Sequence, residues 1–215
     1  MPGTGPKWAE LETIEVTIRR LREDEIDQAA SMLARAFVGD PSPALLADEP
    51  AARLEASRWV YTVVARYGLA FGEVWAVDDL EGVAIWWAPE YVDPDDERAA
   101  LVGFSDGPEV LGKEAWERFL HFGELTGDVH RRSVTGPHWY LPVIGVAPEV
   151  QRCGLGSALL TTMCDRLDRE RLPAYLDTGR AENVAFYQRH GFTVAAELLE
   201  PTSGALIRGM RRDPR

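Results

Sequence analysis

The chain has 215 residues, 46% of them hydrophobic and 27% charged, which fits one globular domain with a substantial core. A formal charge of −12 argues against a nucleic-acid backbone or an anionic membrane surface as partner, while remaining compatible with a small cationic substrate. No apolar run is long enough to span a bilayer. The two cysteines, Cys153 and Cys164, make neither a disulfide framework nor a zinc pattern, so no metal and a cytoplasmic location are expected.

Residues 1–12 hold Pro, Gly and Glu without an apolar signal core and read as a loose tail before a single domain over 13–215. Ile14, Val16 and Ile18 alternate with polar residues as an opening strand. Ile26, Ala30, Leu33 and Phe37 recur at helical spacing until Gly39-Asp40-Pro41 stops them. A second helix is expected from Pro50 to Tyr67, ended by Gly68. Glu73–Val77 and Val83–Ala88 read as a hairpin. Residues 93–137 form an acidic, mainly helical insert that closes with a loop over Arg131–Pro137. His138–Val146 is a strong strand, Gly156–Arg169 an amphipathic helix and Ala174–Asp177 a short strand. Glu182–His190 is a short helix closed by Gly191, and Phe192–Leu198 and Ala205–Met210 finish as strands. This order predicts a mixed α/β sheet in one domain.

Between the strand at His138 and the helix at Gly156 lies a tight loop with glycines at 154 and 156. Such a loop presents backbone N–H groups at a helix N-terminus, where the dipole and the unpaired donors favour phosphate. A dinucleotide fold would use the same loop, with Asp177 meeting a ribose. Its third glycine is absent, since Leu159 stands there, and the elements that follow do not repeat a βαβ unit.

Gln151-Arg-Cys-Gly-Leu-Gly156 resembles the Q-x-x-G-x-G/A signature of the GNAT superfamily of acetyl-CoA-dependent N-acetyltransferases. Val143-Ile-Gly-Val-Ala-Pro148 resembles the strand before that loop. Asn183-Val-Ala-Phe-Tyr-Gln-Arg-His-Gly-Phe192 resembles the family's later N-x-x-x-Y-x-x-x-G-F segment. Three further segments, over residues 72–79, 83–90 and 173–178, are similar to puromycin N-acetyltransferases. The family usually has Gly after the Gln and a basic residue next, where this chain has Arg152 and Cys153.

The resemblance implies a single-domain GNAT fold, with a mostly antiparallel sheet flanked by helices, and acetyl transfer to a primary amine of a small molecule. Acetyl-CoA would be held by Ile144, Gly145, Val146, Gln151, Arg152, Cys153, Gly154, Leu155, Gly156, Ser157 and Asn183. Asn183 could alternatively cap its helix. A bulge at Gly145 would splay the strands and make room for the acetyl group. Tyr187 would protonate the leaving thiolate. The base stays open among His138, Tyr140, Asp177 and a water chain, while His121, His130 and His190 read as surface residues. Phe37, Tyr61, Trp87, Tyr140 and Asp177 are the candidate acceptor-binding residues, and Trp86 and Trp116 are further aromatics available there. A non-catalytic CoA sensor and a peptide or protein acceptor are the alternatives. Monomer and homodimer remain equally open.

Overall fold

The computed structural model describes residues 16–201 and 204–215. The expected tail over 1–12 and the start of the first strand at Ile14 lie outside these residues. The chain opens with β1 (Ile18–Arg20), α1 (Ile26–Ala36) and α2 (Pro50–Phe71). The hairpin β2 (Gly72–Val77) and β3 (Gly82–Trp87) follows, then α3 (Asp96–Leu101), α4 (Gly107–Leu111) and α5 (Lys113–Ser133). The second half runs β4 (Trp139–Val146), α6 (Leu155–Glu170), β5 (Ala174–Thr178), α7 (Ala181–Arg189), β6 (Thr193–Leu199) and β7 (Leu206–Arg212).

The seven strands form one sheet in the order β1-β2-β3-β4-β5-β7-β6. Every pairing is antiparallel except β4–β5. Period-two alternation sends Val83 and Ile85 to a core under α1 and α2, and Ala84 and Trp86 to a core under α6. On α6 the apolar residues Leu155, Leu159, Leu160, Met163 and Leu167 share the buried face. The amphipathic pattern that predicts the helix therefore also docks it.

Two helix boundaries differ from expectation. Gly68 does not end α2, which continues to Phe71. A Cβ at 68 would lie 2.6 Å from Ile85 Cγ2 and 2.9 Å from Val74 Cγ2. The glycine is there to let the helix approach the sheet, and the burial gained on this face outweighs its weak helix propensity. Arg131–Ser133 is likewise the last turn of α5 rather than a loop. Val129 and Ser133 pack against Gly209 of β7, where a Cβ would meet Ser133 Oγ.

The irregularity in β4 is also displaced. Ile85 pairs with Val143 and Trp87 with Tyr140, so β4 carries one residue more than β3 between Tyr140 and Val143. Trp139 and Leu141 face α6, whereas Val143 faces α1. This reversal of face locates the bulge at Leu141–Pro142 rather than at Gly145. Pro142 suits the position because it has no N–H to place in a ladder. Gly145 serves a different purpose: a Cβ there would sit 2.6 Å from Leu33 Cδ2 and 3.0 Å from Phe37 Cε2.

Candidate active site

The parallel strands β4 and β5 pair at Trp139↔Ala174 and Tyr140↔Tyr175 and then part. Beyond the bulge, β4 has one free edge. Ala147 N donates to Glu81 O at 2.7 Å, so the N–H of residue 147 and, by alternation, of 145 and 143 point at β3. The N–H groups of Ile144 and Val146 therefore point into the gap between β4 and β5. Val146 O on the same edge accepts a 3.1 Å hydrogen bond from Gln151 Nε2, which ties the following loop to the strand end.

That loop leads into α6 through Arg152 and Gly154, whose φ angles are +66° and +90°. The first helical bond runs from Ala158 N to Gly154 O. The N–H groups of Leu155, Gly156 and Ser157 thus have no helical acceptor and face outward at the positive end of the helix dipole. They border a trough of about 680 Å³, lined also by Ile144, Gly145, Val146, Gln151, Arg152 and Asn183. Among the described residues, Arg152, Arg180 and Arg189 line it against two acids, Asp40 and Glu182. On a chain of net charge −12 this is a local concentration of cations. Free amides and arginines together suit a polyanionic ligand such as the diphosphate of a nucleotide cofactor. Cys153 is exposed on the loop and does not border the trough. Ser157 Oγ lies 3.1 Å from Nε2 of His190, so His190 is engaged with the loop rather than free on the surface.

A second cavity, of about 250 Å³, opens on the other side of the gap. Phe37, Asp40, Ile144, Asn183 and Tyr187 line both spaces, so the two meet there. The walls are mainly apolar, with Phe37 and Tyr61 in contact at 5.3 Å between ring centroids. Among the described residues, Asp40 and Asp177 are the only charged ones in the lining. Tyr140 Oη donates to Asp177 Oδ2 at 2.8 Å. Burial pushes the Asp177 carboxyl up to about 6, against the pull of the Tyr140 hydroxyl, and Asp40 adds to the rise. Burial also raises the phenol of Tyr187, with Asp177 and Asp40 contributing. Tyr187 hangs from the α6 side of the sheet, and its hydroxyl makes no hydrogen bond with a described residue.

Several expected residues lie elsewhere. His138 is buried and reaches neither space: its Nδ1 donates to Gly136 O at 2.7 Å and its Nε2 lies 2.6 Å from His130 Nε2. His130 is therefore a buried partner, not a surface residue of α5. Trp87 packs behind the cavity, 4.6 Å from Tyr67 and 5.3 Å from Tyr140 between ring centroids. Trp86 is fully buried, and Trp116 stacks with Phe119 on the insert. Asn183 does not cap α7, which begins at Ala181 after Arg180, so its side chain is free to line the two spaces. Asp40 and Arg180 carried no motif of their own. Asp40 sits in the segment read only as a helix stop, where its Oδ1 accepts from Ser42 N and Oγ. Among the described residues no group of three or more His, Cys, Asp or Glu could hold a metal ion, and no helix is long and apolar enough to cross a membrane.

A seven-stranded, mostly antiparallel sheet that splays beside a phosphate-type loop defines a mixed α/β acyltransferase architecture. The sequence model of the acetyltransferase (GNAT) family matches residues 70–192, and the chain belongs to that family. It is 25% identical over 183 residues to an uncharacterized N-acetyltransferase of Schizosaccharomyces pombe, covering 81% of this chain and 73% of that one. It is 34% identical over 105 residues to the 5-NmdU N-acetyltransferase of Pseudomonas phage PaMx11, covering 46% of this chain and 73% of the phage protein. Its fold is similar to a structure described as histone acetyltransferase HPA2 and related acetyltransferase from Corynebacterium glutamicum, with a TM-score of 0.68 and 20% identity over 93% of this chain and 97% of the other. The protein is an acyltransferase of the N-acetyltransferase type.

Proposed function

We propose that the protein transfers the acetyl group of acetyl-CoA to a primary amine on a small, cationic, ring-bearing molecule. The observation that carries this reading is the junction of the two spaces at Tyr187. One space offers free amides and arginines to a polyanion, and the other is apolar with two carboxylates and, among the described residues, no cation.

The diphosphate is assigned to the amides of 152–157, and the pantetheine arm to the free edge of β4 at Ile144–Val146, as an added strand. The Val146 N–H on that edge is assigned to the thioester oxygen, where it stabilises the charge that develops during attack. Asn183, which lines both spaces, is assigned a contact with the arm. Tyr187, its proton held firmly by the raised phenol, is assigned the delivery of a proton to the departing thiolate.

The acceptor is read from the second cavity. Phe37 and Tyr61 offer ring faces, and Asp40 and Asp177 favour positive charge. An aminated antibiotic of the puromycin type fits this description, as does a simpler arylalkylamine. Thiol release is to be followed with acetyl-CoA and a panel of puromycin, 2-phenylethylamine, tryptamine, spermidine and a lysine peptide. Release with the ring-bearing small amines, and little with spermidine or the peptide, is expected. Preference for the peptide would overturn the small-molecule reading, and no release with any amine would overturn the reaction.

A further inference from the structure

The base that frees the acceptor nitrogen is the missing member of this site, and the polar groups of the cavity wall point to one residue. Asp177 is the penultimate residue of β5, where that strand has parted from β4, and its side chain lies on the wall of the acceptor cavity. One carboxylate oxygen, Oδ2, is fixed by Tyr140 Oη at 2.8 Å. The other makes no hydrogen bond with any described residue. Asp177 is half-buried, with one oxygen fixed and the other open to the cavity, where a donor entering the cavity can reach it.

Among the described residues, the surroundings of Asp177 contain no compensating cation. Tyr140 approaches from β4, Tyr175 precedes it on β5, Tyr187 faces it from α7 and Asp40 from the α1–α2 connection. From α5 the cavity receives Phe119, Phe122, Gly123 and Thr126, and His130 lies against the Tyr140 ring with centroids 4.9 Å apart. On β7 the residue opposite is Gly209, and its neighbour Arg208 is paired with Glu197 at 3.1 Å. Asp40 is the weaker candidate, because it sits at the junction and also lines the trough, whereas Asp177 lines the acceptor cavity alone; Oδ1 of Asp40 already takes two donors, Ser42 N and Oγ.

We propose that Asp177, oriented by the Tyr140 hydroxyl, is the ammonium-binding subsite of the acceptor cavity and takes the first proton from the acceptor nitrogen. This rests on the acetyl-transfer reading above. The acceptor enters as R–NH3⁺ and pairs with the unused oxygen of Asp177. One N–H proton moves to that oxygen, leaving a lone pair on nitrogen. The nitrogen attacks the thioester carbon, and the carbonyl π pair moves onto oxygen. As the carbonyl re-forms, the C–S bond breaks with its electron pair on sulfur. Tyr187 gives its proton to that sulfur and recovers one from the nitrogen. Asp177 passes its proton to solvent. The nitrogen loses two protons in all, one ending on sulfur and one in water. A carboxyl raised to about 6 stays ionised at neutral pH and is a stronger base than an ordinary carboxylate.

The test uses the full chain, acetyl-CoA and the panel amine with the highest turnover. Asp177→Asn should lower kcat/KM for the amine at least 100-fold, with the acetyl-CoA Kd unchanged within threefold. The wild-type profile of kcat/KM should have an acidic limb near pH 6, absent from Asp177→Asn. Tyr140→Phe removes a hydrogen bond that lowers the Asp177 pKa, so it should move that limb to higher pH by half a unit or more. A purely structural Tyr140 would not move it, and this variant decides the matter should Asp177→Asn fail to fold. An unshifted limb, or a limb lost in Asp40→Asn instead, overturns the assignment. Calorimetric binding of 2-phenylethylamine in the presence of CoA separates this proposal from the reaction itself. A tenfold or greater loss of affinity in Asp177→Asn supports the subsite even where thiol release is absent, and equal affinity overturns it. Absence of thiol release from the wild type overturns the acetyl-transfer reading and the proton step with it.

Discussion

Nε2 of His130 and Nε2 of His138 lie 2.6 Å apart in a buried contact, and the second nitrogen of His138 determines which ring donates. Gly136 O can only accept, so His138 Nδ1, at 2.7 Å, carries a hydrogen. In the neutral ring His138 Nε2 is then the acceptor, and His130 Nε2 donates to it. His130 stacks on Tyr175 with ring centroids 4.0 Å apart. Burial, with His138 adding, lowers the His130 pKa to about 4, and burial also lowers that of His138.

This pair makes the fold acid-sensitive. Between about pH 6.5 and pH 4 the unfolded chain binds protons that the folded His130 refuses, so stability is full above that window and falls as the pH drops through it. Asp177, raised from 3.8 to about 6, acts in the opposite sense over part of the same range. The comparison that isolates the pair is therefore wild type against His130→Gln, which keeps a donor toward His138 without a titrating ring. Urea unfolding at pH 7.5, 6, 5 and 4.5 should show a shallower pH dependence for the variant. Parallel profiles would show that the pair does not carry the effect.

Gly145 lines the trough between two residues of the free edge of β4 yet answers to α1. A methyl group there would be 2.6 Å from Leu33, which is fully buried, and 3.0 Å from Phe37, which lines both spaces. Gly145→Ala should cost about 1–3 kcal/mol, the usual range for overpacking a core. Displacement of Phe37 should also raise the KM of the amine severalfold. Denaturation midpoints and steady-state kinetics check both, and an unchanged stability would mean that Leu33 moves aside freely.

Arg152 holds a left-handed φ of +66°, a region that favours glycine. A side chain in that region costs about 1–2 kcal/mol, partly offset in a glycine variant by the larger entropy of its unfolded chain, about 0.5–1 kcal/mol. Arg152→Gly should therefore stabilise the fold by about 0.5 kcal/mol. The same change removes a cation from the trough, so acetyl-CoA should bind severalfold more weakly at low salt, with the deficit shrinking at high salt. Thermal melts and salt-dependent titrations separate the backbone effect from the charge effect.

The phosphate-type loop and the helix behind it were legible because they are local. A glycine at the turn, an apolar stripe on α6 and a strand ahead of both lie within one run of sequence. Tyr187 was legible through the same kind of contiguous pattern. What escaped depends on approach across the sheet. Gly68 reads as a helix end and is a contact point for Ile85. Gly145 reads as a bulge, while the bulge sits at Leu141–Pro142, where only the pairing register with Ile85 and Trp87 reveals it. His130 is followed by the exposed Arg131 and Arg132 and gave no sign of its buried partner. Trp87 offered an aromatic of suitable type, but its direction is set by Tyr67 and Tyr140, residues brought to it by the fold. The link between Tyr140 and Asp177 spans 37 positions in the chain and exists only once β4 and β5 are neighbours.

Tyr187 permits a sharp separation of chemistry from packing. Its ring is buried among Phe186 and Phe192, whereas its hydroxyl has no partner among the described residues. Tyr187→Phe keeps the ring and so should leave the melting temperature and the acetyl-CoA Kd nearly unchanged. Loss of a positioned acid should lower kcat about 10²–10³-fold. Because burial raises the phenol above its usual range, Tyr187 stays protonated well past neutrality. The wild-type kcat should therefore show no decline attributable to this group between pH 7.5 and 9.5. Equal kcat in the phenylalanine variant would reduce Tyr187 to a packing residue and move the proton donor to solvent. A large drop in melting temperature would instead point to a structural role for the hydroxyl.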